Sequence, residues 1–490
     1  MELPDPAPGR TRTAAGAALV PTFIALELFG GLIQGWITPL LGVIGTQYQV
    51  PGGALSWILT VGLLSSAVSV PLMTMLADRF GGRRLLVIAV ALSAIGSTLI
   101  AIAPSFAVII IGSIVQGPVA AMLPIEMSLL KHLRPKSATK IIGVLVGTLT
   151  FGVALGSLGA GLVMDAVGNL VVTQLIGAAP LIVLAILVGL AVPRVAGDSG
   201  RVVDWAGAAT LGLALVGLMY GLSEGSNAGW LSPITLGSLA LGAVALVGFV
   251  IAESRATTPL FDVKMIRRAR LGVPLLLGVF IAMTLFGSQT PTVLYLGADP
   301  ATAGYGVGVS TSMTGIVLAV TTLFATVGSF VAPLVTRITG VRLAVAIACL
   351  VIAAGQLVLM TAPSQLVLVI AVFAVTSLGT GVVLAVLPGV VIERAPESAS
   401  ASVSGLYNSG RTLGGSLAGA FVASVMTAFA LAGGAADATA ATPFGAFQVV
   451  WGVFAALLVV AAILALFLTP PRGGTVSAAI DDSIQIGAAS

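Results

Sequence analysis

Between Pro71 and Leu85 the sequence reads PLMTMLADRFGGRRL: an apolar run stops at Asp78 and Arg79, Arg83 and Arg84 follow, and a second apolar run begins. Four charges within seven residues, in a chain whose charged content is 8%, must sit in water. A helix in lipid has to satisfy its own backbone, so it cannot stop in mid-bilayer. The stretch is therefore a tight turn between two membrane spans, and its arginines assign it to the cytoplasmic side.

Composition sets the class. With 58% hydrophobic residues among 490 and a mean hydropathy of +1.15, the chain has too little polar surface to cover a soluble globule. The expectation is an all-α, multi-pass protein of a cell membrane, the bacterial inner membrane, with the bilayer as its surroundings. The basic residues lie in short segments between apolar runs and form no patch, which argues against a nucleic-acid partner. No Gly-x4-Gly-Lys-Ser/Thr occurs, so no nucleotide is expected. The single cysteine, Cys349, and the single histidine, His132, rule out a disulfide framework or a Cys-based metal site and receive no role. No serine is paired with a membrane-embedded base, so an intramembrane enzyme is not expected.

At about 20 apolar residues per crossing, fourteen spans follow: 17–44, 55–76, 85–103, 106–130, 141–163, 170–192, 205–222, 233–252, 271–296, 308–334, 343–361, 365–391, 403–430 and 445–468. Charge tests the count. With both termini inside, 20 of the 21 Lys and Arg fall on the cytoplasmic side and the last, Arg411, lies within span 13. The outward loops carry only acids, Asp165, Glu224, Asp299 and Asp437. Arg10 and Arg12 precede a run too long for a signal-peptide core, which is read as an uncleaved first span.

The chain also repeats itself. Asp78-Arg79-Phe80-Gly81-Gly82-Arg83 after span 2 is echoed by Thr336-Arg337-Ile338-Thr339-Gly340-Val341-Arg342 after span 10. If spans 7 and 8 are an insertion, the remainder divides into six plus six, the parallel repeat of many secondary transporters. The expected organisation is a cytoplasmic N-terminus (1–16), a six-helix bundle (17–193), an inserted two-helix segment with its loops (194–270), a second six-helix bundle (271–468) and a cytoplasmic tail (469–490).

Three stretches together resemble the major facilitator superfamily, and within it the fourteen-span drug/proton antiporters. Leu76, Ala77, Asp78, Arg79, Gly81 and Arg83 are similar to the superfamily's signature turn, with Thr74 and Gly82 departing from it. Asp204-Trp205, Gly229 to Pro233, Glu253 and Pro259 to Asp262 are similar to the inserted pair of spans. Ala401 to Gly415 resembles the start of span 13. The resemblance implies a major facilitator fold of two six-helix bundles plus two inserted helices. By resemblance, too, Asp78, Arg79 and Arg83 form a cytoplasmic latch between the halves in the outward-open state; otherwise they only set topology. Three places associated with proton-coupled export are altered: Gly31-Leu32-Ile33-Gln34-Gly35-Trp36 in span 1, Ser113 to Gly117 in span 4, and Gly156-Ser157 in span 5.

A charge at membrane depth marks a function or a buried pair. Glu27 lies ten residues into span 1, and Glu27, Gly31, Gln34 and Thr38 fall at i, i+4, i+7 and i+11, one polar stripe facing a central cavity. Burial disfavours the charged form of a carboxyl group, so Glu27 can take a proton and release it to water or a cation; the alternative is a structural hydrogen bond. Glu126 is the second proton-coupling candidate or an inner-gate partner. Gln116 beside Gly117-Pro118, Gln289 and Thr290 before Pro291, and Tyr407 and Asn408 are the remaining cavity candidates. Arg411 reads as a structural cation near the inner gate. Gly143 and Gly147, then Gly152 and Gly156, have the spacing of a close helix contact in span 5. The functional expectation is secondary active, proton-coupled efflux of small lipophilic compounds, cationic or neutral, by alternating access from a monomer with no cofactor. The alternative is a carrier of one endogenous metabolite or lipid without proton coupling.

Overall fold

The computed structural model describes residues 10–134, 137–193, 195, 197, 204–255, 271–361, 364–394, 400–432 and 442–468. Outside them lie Lys136, Arg194, Arg201, the 259–262 motif with Lys264, Arg267, Arg268 and Arg270, Asp437, Arg472 and most of both tails. The described residues form helices: α1 Arg10–Trp36, α2 Leu41–Tyr48, α3 Gly52–Phe80, α4 Gly82–Ala101, α5 Phe106–Gln116, α6 Met122–Leu133, α7 Ala138–Val167, α8 Leu170–Ala191, α9 Trp205–Asn227 and α10 Pro233–Arg255. They continue with α11 Gly272–Gly287, α12 Gln289–Gly297, α13 Pro300–Ala303, α14 Thr311–Leu359, α15 Leu366–Arg394, α16 Ser400–Ala432 and α17 Phe444–Leu466. An apolar chain in lipid has no other way to pair its backbone within one segment.

Thirteen of these stretches are long and apolar enough to cross a membrane. The longest, α14, has 49 residues. At 1.5 Å per residue it would be roughly 74 Å straight, far beyond one bilayer. Gly340, at φ 78° and ψ 159°, breaks it in the middle. Gly81, between α3 and α4, has a similar backbone, φ 97° and ψ 129°. These are the two turns whose sequences echo each other. Their arginines match as well: Arg83, two residues past Gly81, donates to the Gly189 carbonyl in α8, and Arg342, two residues past Gly340, donates to the Leu468 carbonyl just past α17. Each turn is thus tied to the last helix of its own bundle.

Prolines and short 3-10 turns interrupt three spans. Thr38–Leu40 separates α1 from α2, and Gly117–Ala121 with Pro118 separates α5 from α6. Ser288 joins α11 to α12 just ahead of Pro291. Of the buried cores, one draws on α1 through α8 and borrows Val293. Two others are built from residues of the α11–α17 region. The pair α9 and α10 packs mainly on itself and leans on α16 and α3. Ser424 of α16 donates to the Leu222 carbonyl of α9 at 2.8 Å.

The two cores meet along two seams. At the end of α7 and the start of α14, the Ser312 amide donates to Asp165 at 3.2 Å and the Ser312 hydroxyl donates to the same carboxylate. A Cβ on Gly161 would come within 2.6 Å of the Thr311 carbonyl. At the start of α3, a Cβ on Gly53 would come within 2.8 Å of the Ala423 carbonyl of α16. Both seams close the end of the molecule remote from the Arg79 to Arg83 turn.

Candidate functional site: a buried carboxyl pair beside a polar cavity

Helices α1 and α7 lie almost backbone to backbone. A Cβ on Gly31 or Gly35 would overlap the carbonyls of Leu149 or Val153, and one on Gly152 or Gly156 would overlap those of Leu28 or Leu32. Only glycine allows this approach. Gly143 and Gly147, earlier in α7, meet no neighbour within 4 Å among the described residues, so the close contact uses half of the expected glycine pattern.

The tight α1–α7 contact divides the expected polar stripe. Gly31 is spent on packing. Glu27, 2% exposed, faces the carboxyl of Glu126 in α6, which is completely buried, at hydrogen-bond reach. Beside them, the position of a Cβ on Gly30 lies 3.8 Å from the sulfur of Met122, one turn before Glu126. As two carboxylates neither group offers a donor, and both oxygens of Glu126 lack a hydrogen bond among the described residues. A single proton converts the contact into a charge-assisted O–H···O bond.

Gln34 and Thr38 go elsewhere. They line a cavity of about 230 Å³ between the two cores, together with Gln289 of α12. Gln34 is two turns, ~10 Å along the axis, from Glu27, and neither glutamate is in the cavity wall. The acids and the cavity are therefore adjacent sites, where the sequence suggested one. Most of the wall comes from residues that the sequence reading passed over. Thr284, Ser288 and Thr292 run at i, i+4 and i+8 along α11 and α12, and Gln356, Thr376 and Thr380 face them from α14 and α15. A hydroxyl stripe at helical spacing inside an apolar span was the signal that could have found them.

The other candidates lie apart. Gln116 donates to the Ser97 hydroxyl at 2.7 Å across the α4–α5 contact. Thr290 is 3% exposed and buried in α12. Tyr407 is buried in a core, its ring against Gly278. The Arg411 guanidinium sits over that ring, 5.8 Å from its centre, while Asn408 is exposed on the same helix. In the signature turn Arg79 lies over the Phe80 ring at 5.4 Å, Asp78 lies in the last turn of α3, and Arg83 reaches α8.

This arrangement, two helical cores around a central cavity with repeated turns, defines a membrane transporter of the facilitator type. The sequence model described as Major Facilitator Superfamily matches residues 23–419, and the chain belongs to that family. It is a multi-pass membrane transporter, not an enzyme. It is 28% identical over 382 residues to the tetracenomycin C resistance and export protein of Streptomyces glaucescens, covering 76% of this chain and 68% of that protein. It is 25% identical over 428 residues to the multidrug transporter protein MdtP of Bacillus subtilis, covering 86% of this chain and 76% of that protein. With the uncharacterized transporter YhcA of the same bacterium it shares 24% identity over 284 residues, 56% of this chain and 53% of that protein, so it spans about half of that relative. Among solved structures, a POT family peptide transporter has a TM-score of 0.67 at 15% identity, covering 94% of this chain and 98% of that one. A D-xylose-proton symporter has 0.61 at 16%, covering 93% and 100%. At these identities the likeness is one of fold.

Proposed function

We propose that this chain is a proton-coupled exporter of small lipophilic or amphipathic compounds, working by alternating access from the cell membrane as a monomer. Similarity to proteins named for resistance and export supports the cargo class. The observation that carries the coupling is the buried Glu27–Glu126 pair: two acids facing each other in a dry contact need a proton to pair, and opening that contact to water lets it go. Because the pair lies ~10 Å from Gln34, cargo and proton act on α1 from different points of the same helix. Coupling then runs through the motion of α1 against α6, without direct competition for one site.

The same reading counts α14 as two crossings divided at Gly340, which gives fourteen spans with both termini cytoplasmic. It divides the chain into bundles at 17–193 and 271–468 with an insertion at 194–270. The seams at Asp165–Ser312 and Gly53–Ala423 then close the outer face, and the cavity is poised toward the cytoplasm. In this orientation the Asp78, Arg79 and Arg83 turn lies at the cytoplasmic end, where a latch used in the outward-open state has to be.

The test is flux in proteoliposomes holding the full chain, with an imposed pH gradient and two probes, tetraphenylphosphonium and 4-methylumbelliferyl β-D-glucoside. At least one probe should move against its gradient, and Glu27→Gln and Glu126→Gln should each stop that movement. Probe movement indifferent to the pH gradient, or both variants transporting like the parent, would remove the coupling proposal.

A further inference from the structure

The central cavity has a chemical character of its own. Of its twenty-three lining residues, thirteen carry hydroxyl or amide side chains and none is charged. Half of the donors among them are committed within the protein. The hydroxyls of Thr284, Thr321, Thr322, Thr376 and Thr380 donate to carbonyls three or four residues back on their own helices, at 3.3, 2.7, 2.9, 3.0 and 2.9 Å. Such back-bonding spends the hydrogen and leaves the oxygen's lone pairs facing outward. The amides behave alike: Gln34 Nε2 donates to the Gly30 carbonyl at 3.1 Å, and Gln356 Nε2 donates to the Ser288 hydroxyl oxygen at 3.2 Å. Gln356 is 7% exposed, and its Oε1 is buried with no donor among the described residues. The wall is thus an uncharged surface on which acceptor lone pairs outnumber free donors, with one orphaned acceptor at Gln356.

We infer that the cavity takes an uncharged compound carrying several O–H or N–H donors, such as a polyhydroxylated aromatic or a glycoside. The physical reason is asymmetric. A donor-rich neutral ligand gives the threonine oxygens and Gln356 Oε1 the partners they lack, and a buried acceptor without a donor is costly. A fixed lipophilic cation without donors would be desolvated in a wall that holds no counter-charge, because the nearest buried acids face each other and not the cavity. The apolar remainder, including Phe373 and Leu458, accepts the ligand's flat or aliphatic part. This narrows the cargo of the exporter proposed above and rests on that reading for the direction of transport, but not for the chemistry of binding.

Equilibrium binding without any pH gradient separates the two. The full chain in lipid nanodiscs is titrated with 4-methylumbelliferyl β-D-glucoside, which is uncharged and has four hydroxyl donors, with its tetra-O-methyl ether, which has none, and with tetraphenylphosphonium. The glucoside should bind, the ether roughly tenfold more weakly or worse, and tetraphenylphosphonium should neither bind nor compete. Gln356→Leu should weaken glucoside binding about three- to tenfold, the range of one hydrogen bond, and leave the ether unchanged. Thr376→Val, which keeps the side chain's shape and removes one acceptor, provides the same readout where Gln356→Leu lowers the melting temperature. Absence of glucoside binding, equal binding of glucoside and ether, or tetraphenylphosphonium binding as tightly as the glucoside would each overturn the inference. If the glucoside pattern holds while gradient-driven flux fails, the coupling proposal falls and the cavity chemistry stands. If flux holds and carries only tetraphenylphosphonium, the reverse is true.

Discussion

The N-terminal bundle carries the buried charge of the candidate site, Glu27 and Glu126, in a contact closed by α1, α6 and α7. The C-terminal bundle carries the cavity: ten of the thirteen polar lining residues come from α11, α12, α14 and α15 or their junction, and three from the N-terminal bundle. The two bundles share a repeat in their turns, at Gly81 with Arg83 and at Gly340 with Arg342, yet they put different chemistry inside it. Like turns are thus compatible with unlike polar interiors. On the reading proposed above, one half holds a proton between helices and the other presents acceptors to a ligand, and α1 belongs to both through Glu27 and Gln34.

The division is broken most directly at the acids. Glu126→Gln should reduce gradient-driven flux to background, because an amide gives Glu27 a permanent hydrogen-bond donor and removes the need for a proton; ligand binding at fixed pH should remain measurable by the same titration. A variant that keeps exchanging protons for ligand at the parent rate would end the assignment of charge to the N-terminal bundle. On the other side, the double change Thr284→Val with Thr376→Val should raise the ligand dissociation constant by roughly tenfold, two acceptors at about 0.5–1.5 kcal/mol each, while flux at saturating ligand still follows the pH gradient. An effect on gradient dependence larger than on affinity would show that the wall, too, takes part in coupling.

Smaller effects sharpen the comparison of scaffolds. Gly156→Val in α7 drives a side chain into the Leu32 backbone and should lower stability by about 1–3 kcal/mol, seen as a lower melting temperature in detergent. Gly143→Val, on the same helix but open, should stay within about 0.5 kcal/mol. Equal losses would mean that the α1–α7 approach is not what holds the acids in place. At the turns, Gly81→Ala and Gly340→Ala each force a side chain into glycine-only backbone, costing roughly 1–3 kcal/mol. Gly81→Ala should be the worse of the two, because its Cβ would also meet the Val195 carbonyl at 2.7 Å, whereas Gly340 has no neighbour within 4 Å among the described residues. The reverse order, read from the same melting curves, would place the tighter turn in the C-terminal bundle.

Much of this molecule is legible in one dimension. Hydropathy and charge are local, and lipid imposes helix on any long apolar run, so the spans, the signature turn and its echo at Gly340 can be read from neighbouring residues alone. The α14 element agrees with this: the turn that the sequence marks between Arg337 and Arg342 is where Gly340, with its positive φ, breaks the helix. Glu27 and Glu126 are conspicuous as lone acids in apolar runs, so each could be picked out by cost, but their separation of nearly a hundred residues says nothing about their meeting. The hydroxyls of the cavity wall gave the weaker signal, since Thr and Ser in a membrane helix satisfy themselves on their own carbonyls whichever way they face.

The sequence alone determined that this chain lives in a membrane, roughly where its helices run and turn, and which acids had to be accounted for. Each of these follows from interactions within one helix or from the cost of moving a residue between water and lipid. Only the tertiary structure decided that Glu27 faces Glu126, that Gly31 is consumed by the approach of α7, and that Gln34 and Thr38 open instead onto an uncharged cavity built mostly by the other bundle. Those outcomes depend on how helices far apart in the chain are rotated and pressed together, and a helical stripe fixes which residues share a face without fixing what that face meets.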